Sequence, residues 1–164
     1  MIHSELLSLE NKLFSNCGLK ITNISNHKES ESYSAGSFFI NNQKIIFRKS
    51  KITPKKLGQF VTFWKRSEIG PIEPYHENDA FDFFIVNCNS ENNAGVFIFP
   101  KSILVQQRIL STKYKEGKRA FRVYPIWEKP INKQAIKTQS WQMNYFFLIS
   151  ESVNLDFIKN IFAI

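Results

Sequence analysis

The sequence predicts an α+β domain, helices set around a β-rich middle, and three observations carry that reading. Two pairs of β-rich runs, each joined by a short polar turn, occupy the centre of the chain; apolar residues at helical spacing open and close it; and no internal repeat divides its 164 residues. With 43% hydrophobic residues, the chain has material for one core, so a single domain over residues 1–164 is expected. The 16 Phe set against only 6 Gly and 6 Pro exclude a disordered or low-complexity polymer.

Taken in order, Leu6, Leu7, Leu9, Leu13 and Phe14 follow Ser4 as an amphipathic helix that ends near Cys17-Gly18, where glycine can take a left-handed backbone. "SNHKESES" is polar and reads as a loop. "GSFFINNQKIIFRKSKI" then reads as a hairpin about Asn41-Asn42. Thr53-Pro54 supplies a cap followed by a first-turn proline, and Leu57, Phe60, Val61 and Trp64 recur at helical spacing, which predicts a short amphipathic helix with its apolar stripe inward. "GPIEPYHEND" breaks regular structure, and Glu68, Glu73, Glu77 and Asp79 gather in and just before it in a segment with no Lys or Arg. "AFDFFIVNC" and "AGVFIFP" form the second hairpin around "NSENN", and Pro100 opens a helical turn through Leu104. "GKRAFRVYP" reads as a further strand. From Asn132 a helix runs past Trp141, the run "NYFFLIS" fits either helix or strand, and "NLDFIKNIFAI" closes the chain as a small helix.

Charge gives the main functional signal. The chain carries 22 Lys and Arg against 14 Asp and Glu, a formal net charge of +8, and its cations are clustered. From Lys44 to Arg66 there is no acidic residue, and "KYKEGKRAFR" repeats that bias. Cations that neutralise phosphates release counterions, the term that dominates sequence-independent nucleic-acid affinity. The contributors expected are Arg48, Lys51, Lys55, Lys56, Lys65 and Arg66, then Lys101, Lys118, Arg119 and Arg122, converging on one face. Trp127, between prolines in "YPIWEKP", is the candidate for stacking on an unpaired base, whereas Trp64 and Trp141 are expected in the core. The bland alternative is two solvated faces.

A second reading is enzymatic. Asp82 and Lys101 stand near the ends of the second hairpin, where Mg²⁺-dependent nucleases place one carboxylate and then an acid-x-Lys triplet. Here the triplet reads Phe99-Pro100-Lys101, so its carboxylate is replaced by a phenyl ring, and a displaced ligand from Glu10, Glu77, Asp79 or Glu116 would be needed. Mg²⁺ enters only under this reading; no other cofactor is expected. His3, His27 and His76 lack metal-ligand spacing, and no phosphate-binding glycine loop or serine-nucleophile motif occurs. Cys17 and Cys88 form no C-x-x-C pair, which points to a reducing compartment. With no basic-then-apolar leader and no run of about 20 apolar residues, the expectation is a cytoplasmic protein without membrane contact.

The stretches "KITPKKLGQFVTFWKR", "GPIEPY", "FDFFIV", "FIFPKSIL", "EGKRAFRVYPIWEKP" and "KQAIKTQSWQMNYF" resemble, in this order, the MepB family of small bacterial proteins encoded beside a multidrug efflux pump and its repressor. The resemblance covers roughly residues 33 to 146. It implies a restriction-endonuclease-like fold, a mixed sheet flanked by helices with an α-β-β-β-α-β-α core. That fold's active-site template would touch Asp82 and Lys101 and fail at Phe99, so the resemblance favours binding of DNA or RNA over cleavage. It also leaves open an accessory protein that binds an acidic partner through the same charges.

Overall fold

The computed structural model describes residues 2–149 and 155–163; Ser150, which ends the run "NYFFLIS", and Asn154 and Ile164, the first and last residues of "NLDFIKNIFAI", lie outside the described residues. Helix α1 (Ile2–Leu9) continues through a π-helical turn (Glu10–Phe14) and a 3-10 turn (Ser15–Cys17), and it stops at Gly18, whose φ is +71°. Strands β1 (Ile21–Asn26), β2 (Gly36–Ile40) and β3 (Gln43–Lys49) follow, the last two forming the expected hairpin with Asn41 at φ +56°. The middle of the chain holds β4 (Lys51–Ile52), β5 (Gln59–Thr62), β6 (Trp64–Arg66) and β7 (Ile72–Pro74). Strands β8 (Phe83–Asn89) and β9 (Ala94–Pro100) make the second hairpin and lead straight into α2 (Lys101–Gln106). The chain then forms β10 (Ala120–Val123), α3 (Lys133–Gln142), β11 (Phe146–Leu148) and α4 (Leu155–Ile161). The side chain of Asn132 caps α3 by accepting from the Ala135 N–H at 2.8 Å.

Six strands build the main sheet in the order β1-β2-β3-β8-β9-β11. Only β3 and β8 run parallel, so the sheet is mixed, with the parallel pair at its centre. Both of its faces are covered, which is why the central strands read as nearly unbroken apolar runs. Strand alternation then sorts them into two cores. Ile45, Phe47, Phe83, Ile85, Val96 and Ile98 face α1 and α4, while Ile46, Phe84, Val86, Phe97 and Phe99 face the opposite side.

The helix expected from Thr53 to Trp64 is not formed. Its place is taken by β4, a turn, β5 and β6. Gly58 sits at φ +81°, which interrupts a right-handed helix, and beyond it burial alternates as in a strand: Gln59 and Val61 are buried, Phe60 and Thr62 half-buried. The β-branched and aromatic run Phe60-Val61-Thr62-Phe63-Trp64 therefore follows its β preference, and Phe121 opposite Val61 completes the pairing. Leu57 and Trp64 accordingly leave the core, Leu57 exposed and Trp64 half-buried. The first two residues of the loop read from "SNHKESES", Ser25 and Asn26, are also extended, as the end of β1. "GPIEPY" holds β7, paired with β6. Strands β10, β5 and β4 form a separate three-stranded sheet, whose inward side chains Val61, Phe121 and Val123 pack on the second core.

Candidate nucleic-acid interface

The small sheet brings together two segments that are remote in sequence. Lys51 on β4 and Arg122 on β10 both pair with Phe60 on β5, so the three residues form one cross-strand row, and opposed residues project to the same face of a sheet. The Arg122 guanidinium lies 5.8 Å from the Phe60 ring centroid. Its Nη2 donates to Thr53 Oγ1 at 2.8 Å and its Nη1 to the Leu57 carbonyl at 3.2 Å. The threonine read as a helix cap thus anchors an arginine. Lys51 Nζ lies 4.3 Å from the Tyr33 ring, which neighbours Phe60. All of these partners are neutral, so they orient the charges without cancelling them. Lys55 and Lys56 are exposed on the turn between β4 and β5, and Lys118 is exposed just before β10.

Beside this row, a cleft of about 360 Å³ lies between β10 and α3, and it is lined by Lys118, Arg122, Lys137 and Trp141 with no carboxylate in its walls. Among the described residues, no carboxylate comes within ion-pair distance of Lys51, Lys55, Lys56, Lys118, Arg122 or Lys137. The larger cavity, about 610 Å³, is different in kind: it mixes Lys65, Lys113 and Lys115 with Glu73, Asp79 and Glu116.

Other expected contributors are withdrawn from this face. Arg48 is the main correction: it is fully buried on the inward face of β3, on the same side as Ile46, and its Nη1 donates to the Phe47 carbonyl at 2.8 Å. Burial lowers its pKa below the usual arginine value, while the facing Tyr75 hydroxyl acts in the opposite direction. Lys65 is held by Asp79 at 2.6 Å and Glu73 at 3.6 Å. Its pKa is raised because these carboxylates outweigh the largest single influence, desolvation, which lowers it. Arg66 pairs with Glu29 at 3.0 Å and Arg119 with Glu116 at 2.8 Å. The acid-free block in the sequence is therefore not acid-free in space.

Trp127 does not stand clear for stacking. Its ring packs edge-on against Phe146 with centroids 5.8 Å apart, and its indole nitrogen is buried without an acceptor among the described residues. Trp141, expected in the core, is half-buried and touches both Phe99 and the basic cleft.

The nuclease candidates Asp82 and Lys101 are each engaged with another group. Asp82 turns its carboxylate to the Lys44 N–H at 2.9 Å, whereas Lys101 directs its amine to the Asp79 carbonyl and over the Phe81 ring. Phe99 is fully buried, stacked on Phe97. Among the described residues, no three His, Cys, Asp or Glu side chains gather in a way that could hold a metal ion.

Charge clustering along the chain does not reveal two features of the structure. Lys137 belongs to the basic cleft, and its sequence signal is the helical spacing of Gln134, Lys137, Thr138 and Trp141 rather than a dense run of charge. Glu5 pairs with Lys49 at 2.8 Å and accepts from Asn87 Nδ2 at 2.9 Å, although 44 and 82 residues separate it from them. No local signal announces such a contact. Both cysteines are buried and free, and burial pushes Cys88 up to about 12.

These features define a small α+β protein: a six-stranded mixed sheet flanked by helices, with a cation-bearing three-stranded sheet packed against one of its cores. The chain belongs to the MepB-like family, whose model matches residues 27–148. A crystal structure of MepB is similar to it at 33% identity, over 93% of this chain and 100% of that one, with a TM-score of 0.80. The structure of a bacterial homing endonuclease aligns over 88% of this chain and 87% of its own at 11% identity and a TM-score of 0.45, a level that decides nothing about chemistry. No curated protein matches the chain. No helix among the described residues is long and apolar enough to cross a membrane.

Proposed function

We propose that this protein binds nucleic acid, DNA or RNA, through its phosphate backbone and with little regard to sequence, using the outer face of the β4-β5-β10 sheet and the adjoining cleft. The observation that supports this reading is the Lys51-Phe60-Arg122 row, in which two basic segments meet on a surface whose cations face no carboxylate among the described residues. Lys55, Lys56, Lys118 and Lys137 extend it. Six such cations, each neutralising one phosphate, set a limiting slope of about −5 for log affinity against log salt on a duplex and about −4 on a single strand.

Anisotropy titrations of a labelled oligonucleotide between about 50 and 200 mM salt test this. Lys51→Gln combined with Arg122→Gln should flatten the slope by about 2, whereas Lys65→Gln with Arg66→Gln, which removes cations already paired, should change it by less than half as much. Affinity independent of salt, or equal losses in the two double variants, would remove the proposal's mechanism.

A further inference from the structure

The cleft between β10 and α3 has a second property besides its charge. On α3, Gln134, Lys137, Thr138 and Trp141 fall at positions i, i+3, i+4 and i+7, so they share one helix face, and all four line the cleft. Lys118 and Arg122 line it from the β10 side. These residues bring an indole ring, an amide, a hydroxyl and three cations to the cleft. Its volume of about 360 Å³ lies at the small-ligand end of the usual range for binding pockets.

Its walls are also held in place. Gln142, buried on α3, accepts from the Tyr124 N–H at 2.8 Å and donates to the Arg122 carbonyl at 2.9 Å, so side-chain amide bonds tie the helix to the strand's free edge. Gln139 adds bonds to the Pro125 and Glu128 carbonyls at 3.1 and 2.9 Å. The Trp141 ring is braced by Phe99, centroids 5.6 Å apart. A braced ring beside cations suits a flat π-face joined to a phosphate.

Resting on the phosphate-binding function above, we infer that this cleft accepts one unpaired nucleobase: the base lies against Trp141, with Gln134 and Thr138 at its polar edge, while Lys118, Arg122 and Lys137 hold the flanking phosphates. Bases in an intact duplex are stacked on their neighbours and unavailable for this, so the ligand is a single strand, or a strand end or extruded base.

A thymidine oligonucleotide of about ten units and its abasic counterpart carry the same phosphates and differ only in their bases, which makes them the probes. The protein should bind the thymidine strand at least about fivefold more tightly than the abasic one, the effect of stacking a single base. Trp141→Leu should close that gap. Because Trp141 also packs on Phe99, Thr138→Glu in the cleft wall provides a second variant, and it too should close the gap. Equal binding of the two strands by the unaltered protein overturns the base site while leaving phosphate binding intact. A gap that survives both substitutions also overturns it. Failure of both strands to bind removes the underlying function as well.

Discussion

Replacing Arg48 with methionine separates what this arginine does from what its place in a basic block suggests. The guanidinium is fully buried, its Nε has no acceptor among the described residues, and the partners it faces are the Phe47 carbonyl and the Tyr75 hydroxyl. Loss of a hydrogen bond from a charged donor costs about 1.5–3 kcal/mol. Removal of a buried charge that faces no carboxylate among the described residues relieves a desolvation penalty of several kcal/mol, and apolar replacement of buried ionic groups is often neutral or stabilising by about 1–4 kcal/mol. Methionine's flexible stem can occupy the vacated space beside Ile46 and Val86. Arg48→Met should therefore be neutral to stabilising, up to about 3 kcal/mol, seen as a higher urea midpoint with an unchanged slope. Oligonucleotide affinity should stay within about twofold, since a buried side chain cannot meet a phosphate. A stability loss above about 1 kcal/mol, or a tenfold fall in affinity with the fold intact, would refute this reasoning.

Other outcomes follow from single contacts. Burial, with Arg48 and Lys44 nearby, lowers the His27 pKa from 6.5 to about 4. Between those values the unfolded chain binds the extra proton, so His27's contribution to stability is complete above pH 6.5 and lost as the pH falls towards 4. His27→Gln should flatten that part of the pH–stability curve, and NMR titration of Arg48→Met should find the His27 midpoint moved upward. Gly58→Ala should destabilise by at least about 1–2 kcal/mol, because φ is +81° and the new Cβ would lie 2.6 Å from the Tyr124 ring. A chemical melt of Gly58→Ala that matches the unaltered protein would show that the turn has another conformation available.

Much of the fold was legible in the sequence because it is local. The Asn41-Asn42 and "NSENN" turns sit between β-rich runs, Asn132 caps a helical period, and Pro100 starts a helix from the end of a strand. The stretch from Thr53 to Trp64 misled because Leu57, Phe60, Val61 and Trp64 fit a helical period while the same residues carry strong β preference. Partners on β10 then decided between the two. The candidate site was legible in part. The turn lysines, Lys118 and Arg122 could be found from charge clustering, but the places of Lys137 and Trp141 in the cleft needed the approach of α3 to β10.

The chain's own order of residues was enough to specify hairpins, helix ends, a phenylalanine-rich interior and an excess of positive charge, since each follows from neighbours a few positions apart. Which cations remain unpaired was decided only by folding. Glu29 reaches Arg66 across 37 residues, Glu5 reaches Lys49 across 44, and the pleat of β3 turns Arg48 inward beside Ile46. Electrostatic attraction depends on distance in space and on the surrounding dielectric, and neither quantity exists until remote segments have packed together.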